Sequence, residues 1–294
     1  MSALITIGMR LNTFVIQSVQ TVLSTIKVVL LSRPSAKMPV LLNSRCCILG
    51  NGPSLTSSIE DHLSFLNESD LVCVNTFAAS TYYEQLKPGN YVLLDPLFFS
   101  EEGRTRDVIS STFQDILEKT SWPMYLYVPQ KARKAAYVQE MLLAKKNIQL
   151  VYFNYTIFEG FDVVKHWFFK RGLAMPQAEN VLVATLFLMI NRAYGKILLF
   201  GADHSWHEQI QVREDNVLTL KDLHFYNADV SKEESRPLIR ANKEKVTISK
   251  QFLSFSKAFR GYDVLKIYAE TRNVAIFNAS AKSYVDSFER IKIN

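Results

Sequence analysis

Small and polar residues follow four apolar runs of this sequence, at the points where strands are expected to end. Amides, carboxylates and imidazoles in such positions can bind phosphate, orient sugar hydroxyls and exchange protons. Because parallel strands end at the same edge of a sheet, the residues that follow them are expected to lie close together. The residues concerned are Gly50, Asn51, Gly52, Ser54, Asn75, Thr76, Asp95, Asp203 and His204. Their positions predict one nucleotide-binding pocket at that edge.

The stretch "ILGNGPSL" is the clearest of these strand ends. It follows the apolar run Cys46–Leu49 directly, and its two glycines and one proline are typical of a turn. Ser54 then has the position of an N-cap, and a helical pattern follows through Leu55 and Ile59. We expect free amide N–H groups at this helix start to point at an anion. The turn lacks the three-glycine dinucleotide fingerprint and the P-loop ending, so a plain tight turn explains it as well.

Alternating strand-like and helix-like runs set the predicted fold class. Short apolar strands that alternate with helices predict an α/β, doubly wound, mostly parallel, Rossmann-like sheet. Strands are predicted at Cys46–Leu49, Leu71–Val74, Tyr91–Leu94, Met124–Val128, Gln149–Phe153 and Lys196–Phe200, with final strand-like pieces in "YDVLKIYA" and "VAIFNAS". Helices are predicted near 56–66, 78–86, 105–119, 131–145, 178–194 and 241–260.

The N-terminal part is predicted to be a separate segment, 1–38, before an α/β domain at 39–294. Within it, residues 11–31 carry apolar side chains on one helical face and one charge, Lys27. The segment is too polar for a clear spanning helix. An amphipathic helix on a membrane surface, flanked by basic residues, is one interpretation. A helix packed on the domain or on a second subunit, in a homo-oligomer, is the other, and "SRPSAKMP" at 32–39 reads as a linker.

The composition of the chain excludes several classes of function. The chain has 294 residues, 48% of them apolar, and a formal net charge of +6. The basic residues are scattered without a Lys/Arg block, which argues against nucleic-acid binding. Three cysteines on predicted buried strands are typical of a reducing compartment, and no Cys/His spacing predicts a metal site. The polar stretch at about 205–240 is predicted to be a lid.

The ordered set of motifs resembles the bacterial sialyltransferases of glycosyltransferase family 42. "CILGNGPSL", "VCVNTF", "YVLLDPLFF", "KILLFGADHSW" and "NASAKSYVDSF" follow that family's order over roughly residues 45 to 285. The resemblance implies a GT-A-like variant of the Rossmann-like fold and no cofactor. It also implies inverting, metal-independent transfer from a CMP-sugar to a hydroxyl of a surface glycan, in polysaccharide biosynthesis. The expected location is cytoplasmic, on the inner face of the bacterial membrane.

The resemblance also implies residue roles. The glycine turn and Asn75 would contact the donor nucleotide, and His224 would be the general base, with Asp222 beside it. Tyr226 stands nearest to the family's phosphate-binding tyrosines, and His204 is a further phosphate contact. Asp95 replaces a family asparagine, which leaves sialic acid, a related acidic sugar such as Kdo, or a neutral sugar open as the donor.

Three alternatives to that reaction stay open. One is a diphosphokinase of the hydroxymethyl-dihydropterin type, with Asp95 and Asp203 on magnesium. Another is a non-catalytic nucleotide-binding module. The third is a retaining transfer with Asp95 as the nucleophile.

Overall fold

A parallel sheet forms the centre of the protein. The computed structural model describes residues 2–34, 44–100, 107–135, 145–221, 235–239 and 244–293. Within these ranges, eight strands form one sheet in the order β11-β10-β6-β1-β2-β3-β4-β5, and every neighbouring pair is parallel. These strands are β1 (Arg45–Leu49), β2 (Asp70–Val74), β3 (Asn90–Val92), β4 (Met124–Pro129), β5 (Ile148–Phe153), β6 (Lys196–Phe200), β10 (Ala275–Asn278) and β11 (Glu289–Arg290).

Helices cover both faces of this sheet, which confirms the predicted doubly wound α/β class. They are α1 (Ser2–Leu31), α2 (Leu55–Asp61), α3 (Leu63–Asn67), α4 (Tyr82–Leu86), α5 (Asp107–Lys119), α6 (Asp162–Lys170), α7 (Val181–Asn191) and α8 (Ile248–Thr271). Successive side chains of a strand point to opposite faces. Cys46 and Ile48 of β1 therefore pack with α6, α7 and α8, whereas Cys47 and Leu49 pack with α2 to α5.

The winding direction of the chain reverses between β1 and β6. From β1 the chain adds β2, β3, β4 and β5 on one side, then crosses over and adds β6, β10 and β11 on the other. Connections that leave neighbouring strands in opposite directions cover opposite faces, so a crevice opens beyond the carboxyl ends of these two strands. Gly50 follows β1 and Gly201 follows β6, which places both residues at this crevice.

Three predicted elements differ from the structure. Residues 262–269, predicted as a strand, belong to α8, where Tyr262, Leu265 and Tyr268 are buried at helical spacing. The helix predicted at 56–66 breaks at His62, whose backbone leaves the helical region with φ −129°. The helix predicted at 131–145 begins as a short 3₁₀ turn, Gln130–Lys134. Residues 136–144 lie outside the described residues.

The segment predicted as a lid contains a small antiparallel sheet. Its strands are β7 (Ile210–Val212), β8 (Leu218–Leu220) and β9 (Arg236–Pro237), in the order β7-β8-β9. A 3₁₀ turn at Trp206–Gln209 joins β6 to this sheet. Residues 222–234 and 240–243, together with most of the predicted linker at 32–39, lie outside the described residues.

Helix α1 is longer than predicted and packs on the domain along one side. It begins at Ser2 rather than near residue 11. Among the described residues, Thr6–Leu31 is a helix long and apolar enough to cross a membrane, judged by length and composition. Val28 is buried in the core with α6 and α7, whereas the apolar side chains on the opposite side of the helix are exposed.

Candidate functional site

Two adjoining hollows open at the carboxyl edge of the sheet. The first hollow, of about 240 Å³, lies at the reversal point. The second hollow, of about 590 Å³, lies beyond β3, β4 and β5. Asn75, Asn180 and Val181 line both, so the two hollows form one continuous cleft. The larger hollow has the size of a typical small-molecule site.

Most of the sequence-predicted residues lie in or beside this cleft. Asn51, Gly52, Asp203 and His204 line the first hollow. Asp95 lines the second hollow, and Asn75 lines both. His224 and Tyr226, predicted as the base and a phosphate contact, lie outside the described residues. Their roles stay predictions.

The glycine turn is built for close packing of two backbones, not as a cradle of free amides. The N–H of Gly50 donates to Phe200 O at 2.8 Å, and the N–H of Gly52 donates to Gly201 O at 3.0 Å. A Cβ on Gly50 would lie 2.6 Å from Gly201 O, and Gly201 itself has φ +62°. Glycine is therefore needed where the exits of β1 and β6 touch. The N–H groups of Gly50 and Gly52 are bonded to protein, so neither of these two is available to an anion.

Asp203 occupies the place at the start of α2 where an anion was expected. Its carboxylate accepts from the N–H of Ser54 at 3.0 Å and from the Ser54 hydroxyl at 2.8 Å. Burial raises the pKa of Asp203, and the two bonds from Ser54 oppose that rise. Ser54 stands at the N-cap position, as predicted, but makes no side-chain cap bond of its own to α2. This pair joins the exit of β6 to the first helix.

Asn51 lines the first hollow, and its side-chain amide is held in place by hydrogen bonds. Its Nδ2 donates to Val74 O at 3.2 Å and to the Thr76 hydroxyl at 3.3 Å. These two bonds orient the amide, and its Oδ1 is buried with no hydrogen-bond partner among the residues that the structure describes. Thr76 therefore supports the site through Asn51, and it is not among the residues that line either hollow. A buried acceptor without a partner costs free energy unless a ligand or a water donates to it.

Asn180 carries a second fixed amide at the first hollow. It is the N-cap of α7, and its Oδ1 accepts from the N–H of Val183 at 3.0 Å. The Tyr262 hydroxyl also donates to this oxygen, at 3.2 Å. The amide is therefore fixed, and its Nδ2 is buried with no hydrogen-bond partner in the described part of the chain.

A buried histidine completes this chain of hydrogen bonds. His204 Nε2 lies 2.5 Å from the Tyr262 hydroxyl. Asn180 Oδ1 can only accept, so the Tyr262 hydroxyl donates a hydrogen bond to it. The same hydroxyl therefore accepts a hydrogen bond from the Nε2–H of His204. Burial lowers the pKa of His204 to about 3, so the ring is neutral at physiological pH. His204 thus positions Tyr262 and Asn180, and its ring stacks on Trp206 at 4.2 Å.

The second hollow combines carboxylates with one lysine. Asp95 is exposed at its rim and accepts from the N–H of Leu97 at 2.9 Å, which caps the turn Pro96–Phe99. Glu179 and Lys131 also line this hollow. Asn75 has φ 45°, a left-handed conformation that asparagine tolerates better than most residues. Its Oδ1 accepts weakly from the N–H of Leu94 at 3.4 Å.

Sequence reasoning missed several residues of the cleft. Asn180 precedes the apolar run of α7, which is the ordinary signature of an N-cap and was available in the sequence. Tyr262 was hidden by the wrong strand assignment at 262–269. Lys221 and Trp206 line the first hollow from the segment predicted as a lid. His62 lies between α2 and α3 and His166 lies within α6, and neither lines the cleft.

Comparison with known proteins gives a distant structural likeness. No protein-family model and no curated protein matches the chain. Among solved structures, it is similar to the MAf glycosyltransferase from Magnetospirillum magneticum AMB-1, with 11% identity and a TM-score of 0.45 over 89% of this chain. The chain spans 35% of the length of that protein. A likeness this distant does not define an activity.

Proposed function

We propose that the protein is a glycosyltransferase that moves a sugar from a CMP-linked donor to a hydroxyl of a surface glycan. The observation that supports this proposal is the pair of fixed amides at the reversal point of the sheet. Both residues line the first hollow, and among the described residues nothing bonds to the acceptor Asn51 Oδ1 or the donor Asn180 Nδ2. A polar ligand with groups of both kinds, such as a nucleotide, would satisfy them.

The donor phosphate is assigned to the start of α7. The N-terminus of an α-helix carries a partial positive charge, and α7 begins where the two hollows meet. Lys221 lines the first hollow and supplies a cation within the same cleft. A monophosphate leaving group carries less charge than a diphosphate, so a helix N-terminus and a lysine suffice to stabilise its departure. This assignment agrees with metal-independent transfer.

The sugar is assigned to the second hollow. Asp95 and Glu179 line it and are suited to sugar hydroxyls, whereas Lys131 is suited to a sugar carboxylate. An acidic donor sugar such as sialic acid or Kdo would therefore place its carboxylate on Lys131 and its hydroxyls toward Asp95. Lys131→Gln is expected to reduce transfer of an acidic sugar by about tenfold. Equal activity of Lys131→Gln would instead indicate a neutral sugar.

Two groups are proposed to act on the acceptor hydroxyl. His224 is the proposed general base of an inverting transfer, because a histidine near its ordinary pKa suits proton removal from an alcohol. Asp95, at the rim of the second hollow, is the second candidate. His224→Ala is expected to abolish transfer while donor binding persists. A retained anomeric configuration in the product would assign Asp95 as a nucleophile and overturn the inverting mechanism.

The diphosphokinase alternative fits the cleft less well. It requires Asp95 and Asp203 to share magnesium, yet the two carboxylates line different hollows. Asp203 is also buried, and each of its oxygens accepts a hydrogen bond from Ser54. Transfer that survives a chelator would exclude this alternative, and magnesium-dependent use of ATP would establish it.

A nucleotide-binding experiment tests the proposal. Thermal unfolding with CMP, CDP, UDP, GDP or ATP is expected to show the largest rise in Tm with CMP, because a ligand stabilises the state that binds it. Lys221→Ala should weaken CMP binding about tenfold. Lys266→Ala, which changes an exposed lysine of α8 that lines neither hollow, is the matched control. Preference for another nucleotide would refute the donor, and CMP binding without transfer would indicate a binding module.

A further inference from the structure

Helix α1 has its apolar side turned away from the protein. Nine apolar residues that share one side of the helix by its 3.6-residue period are each 47–75% exposed. This apolar face consists of Leu11, Val15, Ile16, Val19, Val22, Leu23, Ile26, Val29 and Leu30. A surface helix of a globular protein normally shows the reverse arrangement, with its apolar stripe against the core.

The polar side of α1 holds the domain. Thr21 Oγ1 accepts from the N–H of Phe161 at 2.9 Å, and Ser24 Oγ accepts from the N–H of Glu159 at 3.0 Å. The approach is close, since a Cβ on Gly160 would lie 2.1 Å from Thr21 Oγ1. Two hydroxyls of this helix are therefore used for attachment, whereas its apolar face is exposed in the part of the chain that the structure describes.

The chain just after α1 is attached as firmly. Ser32 Oγ donates to the Thr156 hydroxyl at 2.8 Å. Asn154 accepts the N–H of Arg33 at 2.9 Å and donates to its carbonyl at 2.7 Å. The segment 154–161 thus binds α1 and its exit by both backbone and side chains. Helix and domain are expected to move as one body.

The length of this attachment decides how α1 meets a membrane. The apolar face runs from Leu11 to Leu30, about 30 Å at 1.5 Å per residue, which is long enough to span the hydrocarbon core. Contacts with the domain begin at Phe14, whose ring centre lies 5.5 Å from that of Phe161, and continue to Ser32. A spanning α1 would carry the polar backbone of 154–161 into hydrocarbon, where its groups lose water. An orientation parallel to the bilayer plane avoids this cost.

We propose that α1 binds a lipid bilayer in the plane of its surface, with the apolar face in the acyl region and the domain on the cytoplasmic side. A protein partner would need polar groups to pair with, since protein interfaces carry roughly one hydrogen bond per 100–200 Å². Asn12 lies within the arc of this face, and from Val15 to Leu30 every residue in the arc is aliphatic. Lys27 lies at the edge of this face and Arg33 follows the helix, and both are exposed where anionic headgroups would lie.

Helix α6 carries a second exposed apolar patch with a basic residue beside it. It begins at Asp162, directly after the segment that holds α1, and exposes Val163 by 84% and Trp167 by 48%. These two residues are four apart and share one side of the helix. Arg171 lies over the Trp167 ring, 3.6 Å from its centre. Tryptophan with a neighbouring arginine is typical of the membrane–water interface.

Sedimentation with vesicles tests the proposal on the full chain. The wild-type protein is expected to bind vesicles of phosphatidylcholine with anionic phosphatidylglycerol, and to bind less at high salt. Val19→Glu combined with Ile26→Glu should lower the partition at least about tenfold, because both residues are in the apolar face. Thr13→Glu, exposed on another side of α1, is the matched control and should bind like the wild type. Circular dichroism verifies that each variant folds.

A depth measurement separates the two orientations. Cys46, Cys47 and Cys73 are buried and burial raises their pKa, so a single introduced cysteine can be labelled selectively. Environment-sensitive labels at positions 11, 19 and 30 should report similar shallow depths, about 5–10 Å into the boundary region. A deep label at 19 with shallow labels at 11 and 30 would show a spanning helix and overturn the proposal. A stable dimer that ignores vesicles, or equal binding by all variants, would overturn it as well.

Discussion

Removal of the Tyr262 hydroxyl tests the buried chain of hydrogen bonds behind the cleft. Tyr262→Phe removes one bond from His204 and one to Asn180 and leaves the Nε2–H of His204 buried without an acceptor. A buried donor that loses its partner costs about 1–3 kcal/mol of the free energy of unfolding. Asn180 keeps only the N–H of Val183 to hold its amide, so its Nδ2 is no longer fixed toward the cleft. We expect CMP affinity to fall about tenfold, or about 1.4 kcal/mol.

Tyr268→Phe is the matched control, because it removes a buried hydroxyl from the same helix. The Tyr268 hydroxyl donates to Asn191 Oδ1 at 2.6 Å, and neither residue lines the cleft. Urea unfolding should show a loss of stability in both variants, whereas titration with CMP should show weaker binding only for Tyr262→Phe. Unchanged CMP affinity in Tyr262→Phe would refute the positioning role, and a stability loss below about 0.5 kcal/mol would refute the buried-donor reasoning.

Three further perturbations test other parts of the structure. Gly52→Ala places a Cβ 2.2 Å from Asp203 Oδ2 and should lower the free energy of unfolding in urea by at least about 1–3 kcal/mol. Gly89→Ala is the control, because a Cβ there would have no atom within 4 Å and should change stability little. Equal effects of the two variants would contradict the close approach at Gly52. Because the pKa of His204 is lowered to about 3 while an unfolded histidine titrates near 6.5, the protein should lose stability as the pH falls below about 6.5, by up to about 1.4 kcal/mol per pH unit. His204→Asn, which tolerates the left-handed backbone at φ 51°, should reduce this slope between pH 7 and pH 5; parallel pH profiles would show that another group causes it. Asn154→Ala removes both bonds to the Arg33 backbone and should speed proteolysis near residue 33 several-fold, whereas unchanged cleavage would show that other contacts suffice.

The sheet could be predicted from the sequence because its strands are short, apolar and separated by helices. Seven predicted strands, including "VAIFNAS" as β10, are confirmed with ends shifted by at most two residues. Small elements were not predicted, since the two or three residues of β7, β8, β9 and β11 carry no periodic pattern. The wrong strand at 262–269 has a physical reason as well. Its apolar residues fit a period of two or of 3.6, and only the packing of Tyr262 and Leu265 in the core decides between them.

The position of the candidate cleft could be predicted from the sequence, but the hydrogen bonds of its residues could not. Strand exits gave Asn51, Asn75 and Asp95 because all parallel strands end at one edge. Glycine is required at position 50 because the backbone there touches Gly201, which lies about 150 residues later in the chain. No local sequence pattern contains this contact. The bonds of Asp203 to Ser54 are equally remote in sequence. Long-range contacts of this kind decide which polar groups face a ligand and which are used by the fold.

The segment 154–161 links the outer surface of the protein to its interior. Asn154, Thr156, Glu159 and Phe161 hold α1 and its exit, and Tyr155 between them forms part of the wall of the second hollow, where its hydroxyl donates to Ala178 O. Eight consecutive residues therefore set the distance and the angle between the N-terminal helix and the mouth of the cleft. Any surface that binds that helix therefore also sets the direction in which the cleft opens.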